Sequence, residues 1–336
     1  MYFNPLKTLF ITTMFMGTIL AISSLSWFTA WVGLELNLIS FIPLIVSKNN
    51  QYSSEATLKY FLVQALASSV ILVSAIMINM NFKIQPMLIM LALLMKTGVA
   101  PFHFWFPTIM EGISWMQAGI LMTLQKLAPL ALLLYSISYF SSLALSKFIL
   151  LTSIVTSSLI GAFSGLNQTL TRKILAYSSI SHLAWMITSM LMSNFLWLFY
   201  ILVYSMIVYS IIFIFSFFQI FHLNHMPKKI PNSLANKIFL SSTFLSLGGL
   251  PPFTGFLPKW FLIQELLEKS MILLLIVLLI STLFTLFFYM NICLSTFAMS
   301  SMKKTSYYTL SYKLNIMIFS LNLMGMFVPS IFYLLF

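Results

Sequence analysis

Three lysines and one glutamate of this 336-residue chain lie where an apolar helix ordinarily carries no charge. Glu35 in WVGLELNLISFIPL, Lys96 in LLMKTGVAPFHFWFP, Lys126 in TLQKLAPLALLL and Lys259, just past LSLGGLPPFTGFLP, each sit deep in an apolar run. Counted from the run ends at about 1.5 Å per residue, they fall roughly halfway through a hydrocarbon core about 30 Å thick. Each such charge costs about 2.5 to 3.5 kcal/mol on insertion scales, so the four together rival the whole stability of a domain, about 5 to 15 kcal/mol. The chemistry that offsets such a cost is proton transfer. Desolvation makes a lysine release its proton more readily and a neighbouring carboxylate opposes this, so a movable Glu–Lys contact is a proton switch. With Glu35 close, Lys96 keeps its proton; with Glu35 withdrawn, or a second positive charge on Lys126, it releases it. Arginine does not deprotonate in proteins, and the one arginine, Arg172, lies at a loop.

Two structural explanations compete. Snorkelling accounts for Lys7, Lys59, Lys83 and Lys147 near span ends, but not for the central lysines. A static ion pair has one acid at that depth, Glu35, against three lysines.

The backbone around these charges is interrupted. Pro101 has no N–H, so the carbonyl of Thr97 loses its helical partner beside Lys96; Pro129 does the same to Gln125 beside Lys126, and Pro251 and Pro252 to Leu247 and Gly248. Freed carbonyls at membrane depth are tolerated where they line protein or water. At Pro129 a simple packing kink explains the sequence equally well. His182, in YSSISHLAW, is either a relay between Lys126 and Lys259 or a hydrogen-bonded packing residue, and the sequence leaves both open. His103 is a weaker candidate for the lining of the first break. His222 and His225 fall in the basic loop HLNHMPKKIP, and Glu55, Glu111, Glu265 and Glu268 fall near span ends.

The elements that must hold these groups are membrane helices. The chain is 60% hydrophobic and 7% charged, with a mean hydropathy of +1.01. It is read as an all-α polytopic membrane protein, because the runs lack the period-2 alternation of outer-membrane strands. Cutting at the polar clusters gives about eleven spans: 5–23, 26–46, 57–79, 84–106, 117–138, 146–166, 173–192, 195–221, 237–263, 271–298 and 314–335. The first is read as a span rather than a removable signal peptide. The 17 Lys and Arg against 5 Glu invite either nucleic acid or anionic lipid, and their placement favours lipid and topology over nucleic acid. With eleven spans, the N-terminal side collects Lys7, Lys48, Arg172, Lys173, Lys228, Lys229, Lys237, Lys303, Lys304 and Lys313, and the other side Lys83, Lys147 and Lys269. The positive-inside rule then puts the N-terminus on the side of synthesis.

Gly98, Pro101, Phe102 and Pro107 recur as Gly249, Pro252, Phe253 and Pro258, both fitting G-x-x-P-F-x-x-x-x-P, 151 residues apart. The copies stand in the fourth and ninth spans and so cross in opposite senses, as in an inverted repeat, with chance recurrence as the alternative. The expected division is a first five-helix repeat over 1–140, a second, inverted one over 141–299, and a basic loop with a final helix over 300–336. The lone Cys293 excludes a disulfide within the chain, an iron–sulfur cluster and a thiolate zinc site. There is no Gly-rich nucleotide loop, no His pair at metal spacing and no triad, so neither cofactor nor metal is expected.

WVGLELNLISFIPL, EATLKYFLVQALAS, LLMKTGVAPFHFWFP, GLNQTLTRKILAYSSISHLAWM and LSLGGLPPFTGFLPKW, in this order over nearly the whole chain, resemble the chain 2 family of mitochondrial NADH:ubiquinone oxidoreductase. These are antiporter-like membrane subunits of respiratory complex I, and the richness in Phe, Met, Ile and Lys is similar to the insect form. The resemblance implies two inverted bundles of five helices, with Glu35, Lys96, Lys126 and Lys259 on the family's second-helix glutamate, first broken-helix lysine, central lysine and second broken-helix lysine. It implies proton movement coupled to quinone reduction elsewhere, with FMN, iron–sulfur clusters and ubiquinone held by partner subunits and none here. It also implies other membrane-arm subunits as neighbours, anionic phospholipid such as cardiolipin, and a mitochondrial inner-membrane location. Two departures stand out: Ala184 replaces a frequent glycine beside His182, and Lys259 follows its break whereas Lys96 precedes its own. The rival readings are a stand-alone cation/proton antiporter and a silent scaffold. A cation site favours several carboxylates, and one acid with three lysines does not supply them.

Overall fold

Backbone groups in hydrocarbon find no water, so an apolar chain satisfies them within helices. The computed structural model describes residues 5–47, 50–78, 85–139, 144–230 and 234–298. Its helices are α1 Pro5–Ser23, α2 Trp27–Ile45, α3 Gln51–Ile78, α4 Gln85–Thr97, α5 Trp105–Gly112, α6 Trp115–Met122, α7 Leu124–Tyr139, α8 Ala144–Leu166, α9 Thr171–Met192 and α10 Asn194–Phe218. They continue, after a 3₁₀ turn at Leu223–His225, with α11 Met226–Lys229, α12 Leu234–Gly248, α13 Phe256–Glu268 and α14 Ile272–Ala298.

Among the described residues eight helical segments are long and apolar enough to cross a membrane. The expected fourth and ninth spans are each divided, into α4 with α5 and α12 with α13. Those eight correspond to the other expected spans up to residue 298. Span 314–335, with Lys48, Lys83, Lys303, Lys304 and Lys313, lies outside the described residues, as does the side chain of Lys228.

The chain divides into two units, Met1–Ser157 and Ser158–Phe336. In the first, small residues let α1 and α2 approach closely. A Cβ added to Gly33 would lie 2.6 Å from the nitrogen of Ala21, and one added to Gly17 would lie 2.9 Å from that of Asn37. The start of α2 is fixed by a capping box, Ser26 Oγ accepting from the Thr29 amide at 3.3 Å. Together these seat Glu35 and Asn37. Helix α3 packs on α4 and α5, and α4 on α7, around Phe41, Met90, Leu93 and Phe106. The outward face of α3 carries Leu62, Leu66, Val73 and Ile76, a surface suited to acyl chains.

In the second unit α9 is the central element, buried along nearly its whole length. Helices α10, α13 and α14 pack on it, and α12 packs on α10 and α14. The loop before α9 is stitched to the loop after α10: the Thr171 amide and hydroxyl donate to the carbonyls of Phe221 and Ile220, both at 3.0 Å. This holds α9 and α10 together at one end, so that His182 and Tyr200 face each other.

Candidate functional site

Both G-x-x-P-F segments fold the same way locally. At the first, Gly98 has φ 76°, its amide donates to the Met95 carbonyl at 3.2 Å and that of Val99 to Leu94 at 3.2 Å. At the second, Gly249 has φ 77°, its amide donates to Ser246 at 3.0 Å and that of Leu250 to Leu245 at 3.3 Å. Each is a Schellman end, which needs a left-handed residue at the position after the cap and hence glycine. The bonds Ala100–Pro101 and Pro251–Pro252 are cis.

In the first unit, side chains complete the broken end. The Trp105 indole donates to the Met95 carbonyl and the Gln64 amide to that of Lys96, both at 3.2 Å. These are the carbonyls one and two residues before Thr97, where the proline argument put the freed group. Lys96 and Lys126 are buried, at 5% and 2% exposure, inside the protein rather than toward lipid. They share the lining of a cavity of about 20 Å³ with Asn37, Tyr60, Gln64 and Gln125. One water needs roughly 10 to 15 Å³, so the cavity is water-sized.

Lys126 lies in the first turn of α7. The interruption before it is at Thr123, whose hydroxyl donates to the Gly119 carbonyl at 2.7 Å, a bond that bends helices, while Pro129 lies inside α7. The Lys126 ammonium lies 4.9 Å above the ring of Phe106. Glu35 is half-buried and forms no ion pair among the described residues, where Glu55–Lys59 at 2.6 Å and Glu265–Lys269 at 3.9 Å do pair. His103 is buried against Phe104 and does not line this cavity.

In the second unit Lys259, 7% exposed, sits on the first turn of α13 and donates to the Gly248 carbonyl at 2.7 Å and toward that of Leu247 at 3.5 Å. Those are the two carbonyls that Pro251 and Pro252 deprive of partners. Its ammonium lies 5.7 Å from the Trp185 ring. One turn along α9, His182 Nδ1 is 2.9 Å from the Tyr200 hydroxyl. His182, Tyr200, Tyr204, Ser246 and Leu247 line a smaller cavity of about 10 Å³. Leu247, toward whose carbonyl Lys259 points, lines this cavity with His182. A Cβ on Gly249 would come within 2.7 Å of Lys259 Cδ and 3.0 Å of Nζ. Gly249→Ala is therefore expected to push the ammonium off the Gly248 carbonyl and lower the melting temperature of the purified protein, the strained φ adding about 1 to 2 kcal/mol. A melting curve matching the parent would show that the site yields freely.

The residues missed by sequence reasoning are Asn37, Tyr60, Gln64 and Gln125. Tyr60 and Gln64 are four apart, on one face of α3, and Gln125 adjoins Lys126, but nothing in the sequence joins α3 to the central charges.

Residues 24–285 match the family model of NADH:quinone oxidoreductase/Mrp antiporter transmembrane proteins. The chain is 44% identical over 308 residues to the NADH-ubiquinone oxidoreductase chain 2 of Anopheles gambiae, covering 89% of this chain and 88% of that one. It is 40% identical over 333 residues to that of Locusta migratoria, covering 97% and 95%. Among solved structures it is similar to a chain of the respiratory complex I of Thermus thermophilus, with a TM-score of 0.85 at 23% identity, over 97% of this chain and 78% of that chain.

Proposed function

The chain belongs to the NADH-ubiquinone oxidoreductase chain 2 family, within the NADH:quinone oxidoreductase/Mrp antiporter membrane proteins, and we propose that Glu35, Lys96, Lys126, His182 and Lys259 carry protons through it. The protein is a proton-translocating membrane subunit of the mitochondrial NADH:ubiquinone oxidoreductase. The observation that carries the residue assignment is the burial of three lysines inside the protein, Lys96 and Lys126 lining one water-sized cavity and Lys259 on the carbonyl of a broken helix end. Protons pass between Lys96 and Lys126 in the first unit and between His182 and Lys259 in the second, Glu35 modulating Lys96. Redox chemistry stays on partner subunits, which hold FMN, iron–sulfur clusters and ubiquinone, and this chain binds no cofactor.

In this reading 1–140 and 141–299 are inverted five-helix repeats, 300–336 adds a last span, the N-terminus faces the matrix and the C-terminus the intermembrane space. Other membrane-arm subunits flank the chain. Anionic phospholipid such as cardiolipin is favoured at the basic loops, where Arg172 and Lys229 lie 4.5 and 5.8 Å from the ring of Phe221.

Lys96→Arg tests the assignment, since arginine keeps a charge but does not give up its proton. In sealed vesicles holding the assembled complex, redox-driven acidification is expected to fall about ten-fold or more. Full pumping by this variant would make Lys96 a static charge. A stand-alone cation antiporter is the weaker reading, because the central groups are one acid and three lysines.

A further inference from the structure

The polar side chains around the first cavity form a connected chain. The Tyr60 hydroxyl donates to Gln125 Oε1 at 3.1 Å, and Gln125 Nε2 donates to Asn37 Oδ1 at 2.9 Å. Gln125 thus turns its oxygen to Tyr60 and its amino group to Asn37. The ring of Tyr60 is itself held, edge-on to Phe41 at 5.3 Å and tilted against Trp105 at 6.1 Å, and the residue is 2% exposed. Gln64, one turn along α3, donates to the Lys96 carbonyl at 3.2 Å and ties the same helix face to the end of α4. Residues from α2, α3, α4 and α7 are thus joined around a space lined by both lysines.

We infer that Tyr60, oriented by Gln125 and Asn37, is the positioning residue that seats the water bridging Lys96 and Lys126. This rests on the proton-carrying reading of the two lysines. With its hydrogen committed to Gln125, the phenol turns an accepting oxygen to the cavity and offers a water one fixed partner. That water needs two to four partners to be ordered, and the lysines at either side supply others. In the transfer, the ammonium of Lys96 gives one proton to the water and the water gives another to the neutral amine of Lys126. The water is regenerated, Lys96 ends neutral, Lys126 ends charged, and Tyr60 keeps its own proton throughout. Without the phenol oxygen the water samples orientations in which its free hydrogen does not face Lys126.

Tyr60→Phe removes the oxygen and keeps the ring. In the assembled complex in sealed vesicles it is expected to slow NADH-driven proton uptake about ten-fold, the value of one hydrogen bond. The ratio of rates in H₂O and D₂O should rise, because transfer at this point has become limiting. Gln125→Leu should slow uptake equally, and the double variant should lose no more than either single one, since both act through one water. Should Tyr60→Phe reduce the amount of complex, Gln125→Leu with the same isotope measurement decides alone. Parental rates and isotope ratio in Tyr60→Phe, or losses that multiply in the double variant, overturn the inference. Lys126→Met, measured alongside, separates the failures: if it stops pumping while Tyr60→Phe does not, only the role of Tyr60 falls, and if it pumps normally the lysine reading falls with it.

Discussion

Replacing Lys126 by methionine is expected to abolish redox-driven pumping while leaving the amount of assembled complex unchanged. The side chain is 2% exposed and its ammonium sits 4.9 Å above the Phe106 ring. Methionine matches the length of the lysine stem, fills the same space and makes a favourable sulfur–aromatic contact, so the packing of α7 survives. The difference left is the titratable amine. A positioned proton-transfer group contributes on the order of 10²-fold or more, so uptake should fall by at least that factor, with NADH oxidation falling as far as it is coupled. Acidification of sealed vesicles and the band of intact complex on a native gel provide the two readouts. A silent scaffold predicts the opposite pair: pumping intact, and assembly sensitive to any change of shape.

Rarity governs what could be read from the residues alone. A charge deep in an apolar run is so costly that Glu35, Lys96, Lys126 and Lys259 stand out without any knowledge of neighbours. The proline rule is equally local, and at the second break it identified the Leu247 and Gly248 carbonyls to which Lys259 donates. At the first break the same rule pointed to Thr97, while Trp105 and Gln64 serve Met95 and Lys96. Which carbonyl is served depends on what a neighbouring helix brings, and that is set by packing. Thr123 shows a related limit, since Pro129 announces a disturbance but the helix yields six residues earlier, where the Thr123 hydroxyl joins its own amide on the Gly119 carbonyl. Asn37, Tyr60, Gln64 and Gln125 were invisible for a third reason. Amides and phenols are tolerated in apolar helices, and their meaning appears only when packing has set α2 and α4 against α3 and α7.

Lys259 should behave differently from Lys126 because it does two jobs. Its ammonium donates to the carbonyl of Gly248 at 2.7 Å, at a broken helix end buried from solvent. Lys259→Met removes the proton carrier and also leaves that carbonyl without its donor, at about 1 to 3 kcal/mol for a buried unsatisfied group. Pumping should therefore disappear as with Lys126→Met, but the complex should in addition assemble in smaller amount and melt at lower temperature. Lys259→Arg separates the two effects. Guanidinium donates to carbonyls yet does not release a proton, so assembly and melting should recover while acidification stays on the order of 10²-fold down. Pumping restored by arginine would reduce Lys259 to a backbone cap, and a methionine variant as stable as the parent would show that the Gly248 carbonyl finds another donor. If both results follow the expectation, the asymmetry between the breaks gains a physical reason. The first lysine precedes its break and leaves capping to Trp105 and Gln64, whereas the second follows its break and supplies the cap with the same amine that carries the proton.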